Sequence, residues 1–408
     1  MTLAKQGGLL IGMCFAAGAL LYVAGESALH AASNHSDEYT RATQPPAVAL
    51  AIAGPEELLL SADAPHCPGV DVKGERMDVP DAPLRAIRSD HGLLVISAHY
   101  NNLAYASSDL VRIDRRNCVS MLPSALDADP SRFTDHEWLV SMYVQKGRIF
   151  ALVHNEYWGG LYNSQCRDRL GRRNPWDAIC LYGNLTGAVS SDAGLSFQRT
   201  SVVAAYPYAF SPEMNRNGVR DPSNLFHNPD DGYVYFMAWI DPQEDQQGGE
   251  CLFRSKDPLS EPWFAWDGRN FGALMGSPFG HQQARCEPVS GLWISTVVHV
   301  ASAKTFVAIA YDERVKPGGV FYRTSKDLIH WSKPSLILEA HDAKHLRSGD
   351  DSRPLTYPSL IDPASSSPNF DTAGPRPYLY FNRWRVKNGK PQGRERDIMR
   401  VPLTLKTP

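Results

Sequence analysis

The sequence predicts an all-β protein built from repeated sheet units and preceded by an apolar N-terminal segment. Three observations carry that expectation: strand-length runs separated by turn residues, similar turn phrases that recur, and an uncharged apolar run followed by an even set of cysteines.

The runs from Leu93 to Ala98, Ile149 to His154, Val234 to Ile240, Trp293 to His299, Phe306 to Tyr311 and Tyr378 to Arg383 are rich in Val, Ile, Tyr, Phe and Trp. Such side chains suit a pleated, half-buried surface. Between them stand Gly, Pro, Asn and Asp, and the chain's 31 glycines and 30 prolines imply many turns. Beyond the N-terminal run no long stretch keeps a helical period. The 408 residues, 43% hydrophobic and 21% charged, have a globular balance. A net charge of −3 and the lack of a basic stripe interleaved with aromatics exclude a nucleic-acid partner.

Lys5 precedes an uncharged apolar run from Gly8 to Gly25, a positive n-region followed by an h-region. The run is also about long enough to span a bilayer. Residues 1–32 are therefore read as a cleaved signal peptide or a membrane anchor, residues 33–50 as a tether, and residues 51–408 as the folded body. Cys14 follows Met13 and sits in no convincing lipoprotein box. The other six cysteines, an even number, suit an oxidising compartment, periplasmic or extracellular. Neighbouring pairs are expected: Cys67–Cys118, Cys166–Cys180 and Cys251–Cys286. No C-x-x-C pair or other ligand spacing marks a metal site, and no cofactor is expected. A monomer is expected.

Three turn phrases repeat: Ser190-Ser191-Asp192-Ala193-Gly194-Leu195-Ser196-Phe197, Arg254-Ser255-Lys256-Asp257 with Trp263 and Trp266 after it, and Thr324-Ser325-Lys326-Asp327-Leu328-Ile329-His330-Trp331. In each, Ser and Asp side chains can bond nearby backbone N–H groups and fix a hairpin, while the aromatic packs between sheets. Their roughly 65–70-residue spacing exceeds a compact propeller repeat and suits units with long loops. It divides the body into about five, near 80–130, 131–205, 215–270, 285–345 and 350–408. The segment around Leu58 to Ser61 is a candidate for the strand that closes the ring. The fold predicted is a five-bladed β-propeller.

The first phrase fits the Asp box of sialidase-type propellers. Gly218-Val219-Arg220-Asp221-Pro222-Ser223, the phrase from Ser325 to Trp331, and Tyr357-Pro358-Ser359-Leu360 with Tyr378-Leu379-Tyr380 resemble the five-bladed glycoside hydrolases, both arabinanase/xylosidase-like and invertase-like. The first unit departs from that family, lacking the invertase-like W-M-N-D-P-N-G; Arg88-Ser89-Asp90-His91 is its nearest acidic stretch. The resemblance implies a carbohydrate partner and cleavage by paired carboxyl groups, one donating a proton to the leaving oxygen and the other activating water or attacking.

On that template Asp221 would orient the sugar and stabilise the transition state. Asp135 is the candidate base or nucleophile, and Glu156 or Glu287 the acid. His136, His154 and Arg220 are candidates for binding sugar hydroxyls, with Tyr357 and Arg383 beside them. Tyr157, Trp158 and Trp384 are candidate stacking platforms. Strand alternation puts His154 and Glu156 on one face of an apolar run that ends in polar residues. Two other readings use the same scaffold: a non-catalytic glycan-binding or polysaccharide-assembly protein, and a sialidase. Leu84-Arg85-Ala86-Ile87-Arg88 is similar to the sialidase F-R-I-P start, and Arg85, Arg220 and Arg383 are its candidate carboxylate grip. Asn184-Leu185-Thr186 has the form of a glycosylation sequon.

Overall fold

The computed structural model describes residues 42, 44–68, 71–72, 75–76, 78–97, 99–166, 180–214, 216–279, 284–340 and 354–407. The N-terminal apolar run, Cys14 and most of the tether lie outside the described residues. No helix among the described residues is long and apolar enough to cross a membrane.

The protein is nearly all strand. Two short strands come first, β1 (Ala49–Ile52) and β2 (Glu57–Leu60), followed by a ribbon of β3 (Asp71–Val72) and β4 (Glu75–Arg76). Successive meanders follow. The first is β5 (Arg85–Ser89), β6 (Gly92–Ile96), β7 (Ala104–Ala106) and β8 (Arg115–Arg116). The second is β9 (His136–Gln145), β10 (Arg148–Trp158), β11 (Leu181–Ser190) and β12 (Gln198–Ala204). The third is β13 (Arg216–Arg220), β14 (Phe226–His227), β15 (Val234–Ile240), β16 (Gly249–Ser255), β17 (Phe264–Trp266) and β18 (Phe271–Ala273). The fourth is β19 (Trp293–Val300), β20 (Thr305–Asp312), β21 (Gly319–Ser325) and β22 (Ser335–Glu339). The last is β23 (Leu355–Ile361), β24 (Tyr378–Lys387) and β25 (Lys390–Lys406). Helix among the described residues is limited to single turns at Gly159–Tyr162 and Ala301–Ala303.

In the second and fourth meanders burial falls from the first strand to the last. β9 is buried over most of its length, whereas β12 is exposed over its first four residues. The same contrast separates β19 from β22. First strands therefore face the middle of the molecule. The meanders meet in cyclic order. β5 packs on β9, β14 and β15 on β19, and β19 on β23. A cluster holding Leu84, Val95 and Tyr105 together with Ile361, Tyr380 and Ile398 joins the last meander to the first.

The second and third meanders are fused by a parallel pairing of β11 with β13, in which Gly183 lies opposite Gly218. A Cβ on Gly218 would stand 2.4 Å from the Gly183 nitrogen, so that approach requires glycine. The ring closes through the N-terminal strands. β1 pairs with β25 from Ala49↔Lys406 to Ile52↔Leu403, and β2 pairs with it from Glu57↔Arg400. Residues 49–50, placed in the tether by sequence, are thus strand.

The turn phrases lie where they were expected to act. Ser190 Oγ donates to Asp192 Oδ1 (2.6 Å) and accepts from the Gly194 N–H (2.8 Å) between β11 and β12. Ser325 and Asp327 repeat this between β21 and β22, with Leu328 and His330 N–H groups as donors. Asp257 caps the Leu259 N–H between β16 and β17. Phe197, Trp263 and Trp331 are buried behind these turns. A further copy, Ser107-Ser108-Asp109-Leu110, sits between β7 and β8. There Ser107 Oγ accepts from Leu110 N–H (3.0 Å) and Asp109 from Val111 N–H (2.8 Å).

All three expected disulfides are present: Cys67–Cys118, Cys166–Cys180 and Cys251–Cys286. Asn184 is buried in β11 and its Oδ1 accepts the Tyr206 N–H, so the sequon is not accessible.

At the end of the first strands opposite the cavity described below, one segment from Asp362 to Gly374 crosses the middle. Pro368 O accepts from Arg88 N–H, Asn369 pairs with both backbone groups of Val144, Asp371 Oδ2 accepts from His227 N–H, and Asp371 O accepts from His299 N–H. One loop of the last meander is thereby tied to each of the other four.

Candidate active site

A cavity of about 200 Å³ opens where the first strands begin. Asp81 and Pro83 reach it from the loop entering β5, Trp138 from β9, and His154, Glu156 and Trp158 from the end of β10. Arg216, Asp221 and Pro222 come from β13 and the break after it, Trp293 from the start of β19, and Tyr357 from β23. Every meander contributes to its wall.

The cavity holds three carboxylates in different settings. Asp81 faces the Arg396 guanidinium, accepts from Tyr357 Oη (3.2 Å), and has His99 Nε2 at 3.5 Å. Asp221 accepts from Arg220 Nη1 (2.6 Å), and Arg220 makes a two-pronged contact with Asp241 at 3.1 Å on each prong. Burial works against ionisation of Asp221, but Arg220, His154 and Arg216 outweigh it and hold the carboxyl below the usual range. Glu156 accepts from Trp158 Nε1 (3.0 Å), and Arg216 Nη2 lies 3.7 Å from its other oxygen.

His154 is buried, and burial lowers its pKa although Glu156 and Asp221 pull the other way, so it is a neutral imidazole at pH 7. Its ring lies against Gly183 of β11, where a Cβ would stand 3.4 Å from His154 Nε2. Asp221 and Tyr357 both hold left-handed backbone, at φ 50° and 58°, immediately before prolines. Strained backbone of this kind is retained where the surroundings over-determine it, and it re-aims both side chains into the cavity wall.

A second layer supports the first. Asp135 is buried, accepting from the Trp158 N–H (2.8 Å) and from Tyr162 Oη (2.6 Å), with His136 Nδ1 at 3.0 Å. The His136 ring stacks on Trp158 at 3.9 Å between centroids and 9° between planes. Asp135 and His136 thus hold Trp158 from behind and do not line the cavity. Tyr157, alternating with Glu156 and Trp158, points away and packs on Tyr162 and Phe210. Trp384 lies behind Tyr357, its ring covered by Arg396 at 4.1 Å.

Of the other candidates, Glu287 is exposed and lines a separate cleft with Trp266 and His330. Its side chain belongs to the loop before β19, outside the cavity. Arg383 pairs with Glu56. Arg85 is buried in the middle of the molecule, donating to Ser295 O (2.6 Å) and to Thr296 Oγ1 (3.3 Å), and burial pushes it down to about 9. Neither of these arginines nor Arg220 lines the cavity.

The residues the sequence reading missed are Asp81, Arg216, Trp138 and Trp293. Asp81 carried one signal, its place in Pro80-Asp81-Ala82-Pro83 just ahead of the first strand of the body. Asp90, the acid nearest that unit by sequence, sits in the β5–β6 turn and is exposed. Glu250 was also missed. It is fully buried on β16, takes the Ile294 N–H on Oε1 (2.8 Å), and has no partner for Oε2 among the described residues. Burial first, and the nearby Asp221 charge, keep it well above the usual carboxyl range. Among the described residues no group of His, Cys, Asp and Glu is placed to hold a metal ion.

No protein-family model matches the sequence, and no curated protein matches it. Solved structures similar to it include glycoside hydrolases. A thermostable family-43 glycoside hydrolase is 12% identical, with 80% of this chain and 93% of that chain covered and a TM-score of 0.45. A xylan β-1,4-xylosidase from Bacillus halodurans is 11% identical over 80% of this chain and 54% of that chain, with a TM-score of 0.44. A family-117 glycoside hydrolase from Zobellia galactanivorans is 9% identical over 89% and 92%, with a TM-score of 0.46.

Proposed function

We propose that the protein is a five-bladed β-propeller glycoside hydrolase acting on an extracellular or cell-envelope polysaccharide. One observation carries the reading. Every meander turns the start of its first strand, or the loop beside it, toward one cavity, and together they bring Asp81, Glu156 and Asp221 there with four aromatic rings. Glycoside cleavage calls for carboxyl groups on both sides of the scissile bond, and rings suit stacking against sugar faces.

The roles follow from the partners. Asp81, held by Arg396 and Tyr357, serves as base or nucleophile. Asp221, ionised, faces the positive charge that develops on the sugar ring. Glu156, oriented by Trp158 Nε1, donates to the leaving oxygen. His154 and Trp158 bind the sugar. Three disulfides fit an extracellular or periplasmic site of action.

The test is a purified-protein screen against aryl glycosides and envelope polysaccharides, followed by Asp81→Asn, Glu156→Gln and Asp221→Asn. Each variant is expected to lose activity by roughly 10²–10⁴-fold, the usual worth of a positioned acid or base. Loss in Asp135→Asn alone, with the three cavity variants active, would overturn the assignment. A second reading, glycan binding without cleavage, is favoured by the arginine beside each carboxylate. It predicts saccharide binding with no sugar released from any substrate on the panel.

A further inference from the structure

The arginines around the cavity fall into two kinds. Arg220 and Arg396 stand behind the wall and are hydrogen-bonded there, Arg220 to Asp221 and Asp241, Arg396 through Nη1 to Asp81 and to Pro80 O. Arg216 is different. It is the one arginine or lysine among the described lining residues, its side chain is 38% exposed, and no hydrogen bond from its guanidinium to a described residue is formed. Its nearest carboxylate oxygen, on Glu156, lies at 3.7 Å, too far for a hydrogen bond.

A guanidinium presents five N–H donors in a planar fork that matches a carboxylate. Water satisfies such a group on an open surface. In a cavity that a sugar must enter, its donors meet the ligand instead. The neutral His154 beside it adds no second positive charge for a ligand carboxylate. The neighbouring Glu156 would repel a ligand carboxylate at any position except the one where Arg216 stands between the two.

We propose that the cavity takes a sugar carrying a carboxylate, a uronate residue of an acidic polysaccharide, and that Arg216 binds that carboxylate. The inference rests on the glycosidase-like reading of the cavity and adds the substrate class to it.

The test uses the full chain and reads binding and turnover separately. Matched oligosaccharides with and without uronate residues (glucuronate-bearing and plain xylo-oligosaccharides, oligogalacturonate and galacto-oligosaccharides) are titrated by calorimetry into the wild type, Arg216→Met and Arg216→Lys. The uronate member of at least one pair is expected to bind the wild type at least about tenfold more tightly. That preference should fall toward unity in Arg216→Met and be partly kept in Arg216→Lys, which retains charge but not the fork. It should also weaken with added salt. Equal affinity within every pair, a preference that survives in Arg216→Met, or no binding of any member would overturn the inference. Turnover separates the two readings. Hydrolysis of plain oligosaccharides with no uronate preference sinks the substrate class and leaves the glycosidase, whereas uronate binding without product keeps Arg216's role and sinks hydrolysis.

Discussion

His154 shows how one side chain ties the cavity to the stability of the whole protein. Its ring is buried between β10, β11 and β13, and burial lowers its pKa below the ordinary 6.5. In the unfolded chain it takes a proton near pH 6.5; in the folded protein it resists until lower pH. As pH falls below about 6.5 the unfolded state therefore binds the proton first and gains, so the stability present above that pH is lost toward the folded pKa. His299, also lowered chiefly by burial, acts in the same direction. Thermal unfolding of the wild type is expected to shift to lower temperature between pH 7 and pH 5, with a smaller shift in His154→Gln. Equal shifts in both proteins would show that His154 has no part in it. At this scale the sequence was readable where a residue sat in a strand or beside a recognisable phrase. His154, Glu156 and Asp221 lie in one wall as alternation and the Arg-Asp-Pro phrase implied. Asp81 stands in an irregular loop with no periodicity to mark it. Arg216 sits on a strand whose partner, β11, pairs in parallel across a meander boundary, a neighbour that no local pattern announces.

Asparagine side chains act as joints between elements. Asn224 donates to Val297 O (2.9 Å) and accepts from Val297 N–H (2.7 Å), pairing with β19 as a strand would. Asn102 does the same for β9, donating to Glu137 O (2.7 Å) and accepting from Leu139 N–H (2.7 Å). A primary amide supplies both a donor and an acceptor, so one side chain can bond two backbone groups of a neighbouring strand. Asn224→Ala leaves both Val297 backbone groups buried and unpaired. It is expected to cost about 2 kcal/mol in urea unfolding, against a few tenths for a surface asparagine such as Asn270→Ala. Equal effects would remove the joint from the account. The Ser-x-Asp turns were legible because the phrase carries its own hydrogen bonds. The copy at Ser107 was overlooked because Ile113, where the others have Phe197 and Trp331, fills the space behind the turn without an aromatic flag.

At the scale of the molecule the disulfides and the closing strands share the task of holding the ring. Cys67–Cys118 spans 51 residues and ties the segment before the first meander to the segment after β8. That meander has short outer strands, and it needs the constraint most. Replacing both cysteines by serine is expected to cost about 4 kcal/mol in the chain-entropy picture. Calorimetry under oxidising conditions would measure it; a loss under about 1 kcal/mol would mean that the sheet contacts alone fix the segment. The neighbour pairing was legible because each pair of cysteines brackets a single stretch of the ring. Ring closure was only partly legible. Leu58 was a candidate closing strand, but β1 falls in a stretch whose Thr, Gln and Pro read as a linker.

The segment from Asp362 to Gly374 and the strand β25 set an order on events in time. The segment touches all four earlier meanders, and β25 pairs with β1, β2 and β24 together. Both are synthesised after every surface that they complete. Until they arrive, the first strands of the earlier meanders have an open side and β1 has no partner. A chain made N-terminus first is therefore for a time a row of incomplete sheets, exposed to aggregation for as long as its last fifty or so residues take to follow, and long-range pairings of this kind are slow to form. Folding of this protein is therefore expected to be a single late event rather than a piecewise assembly during synthesis.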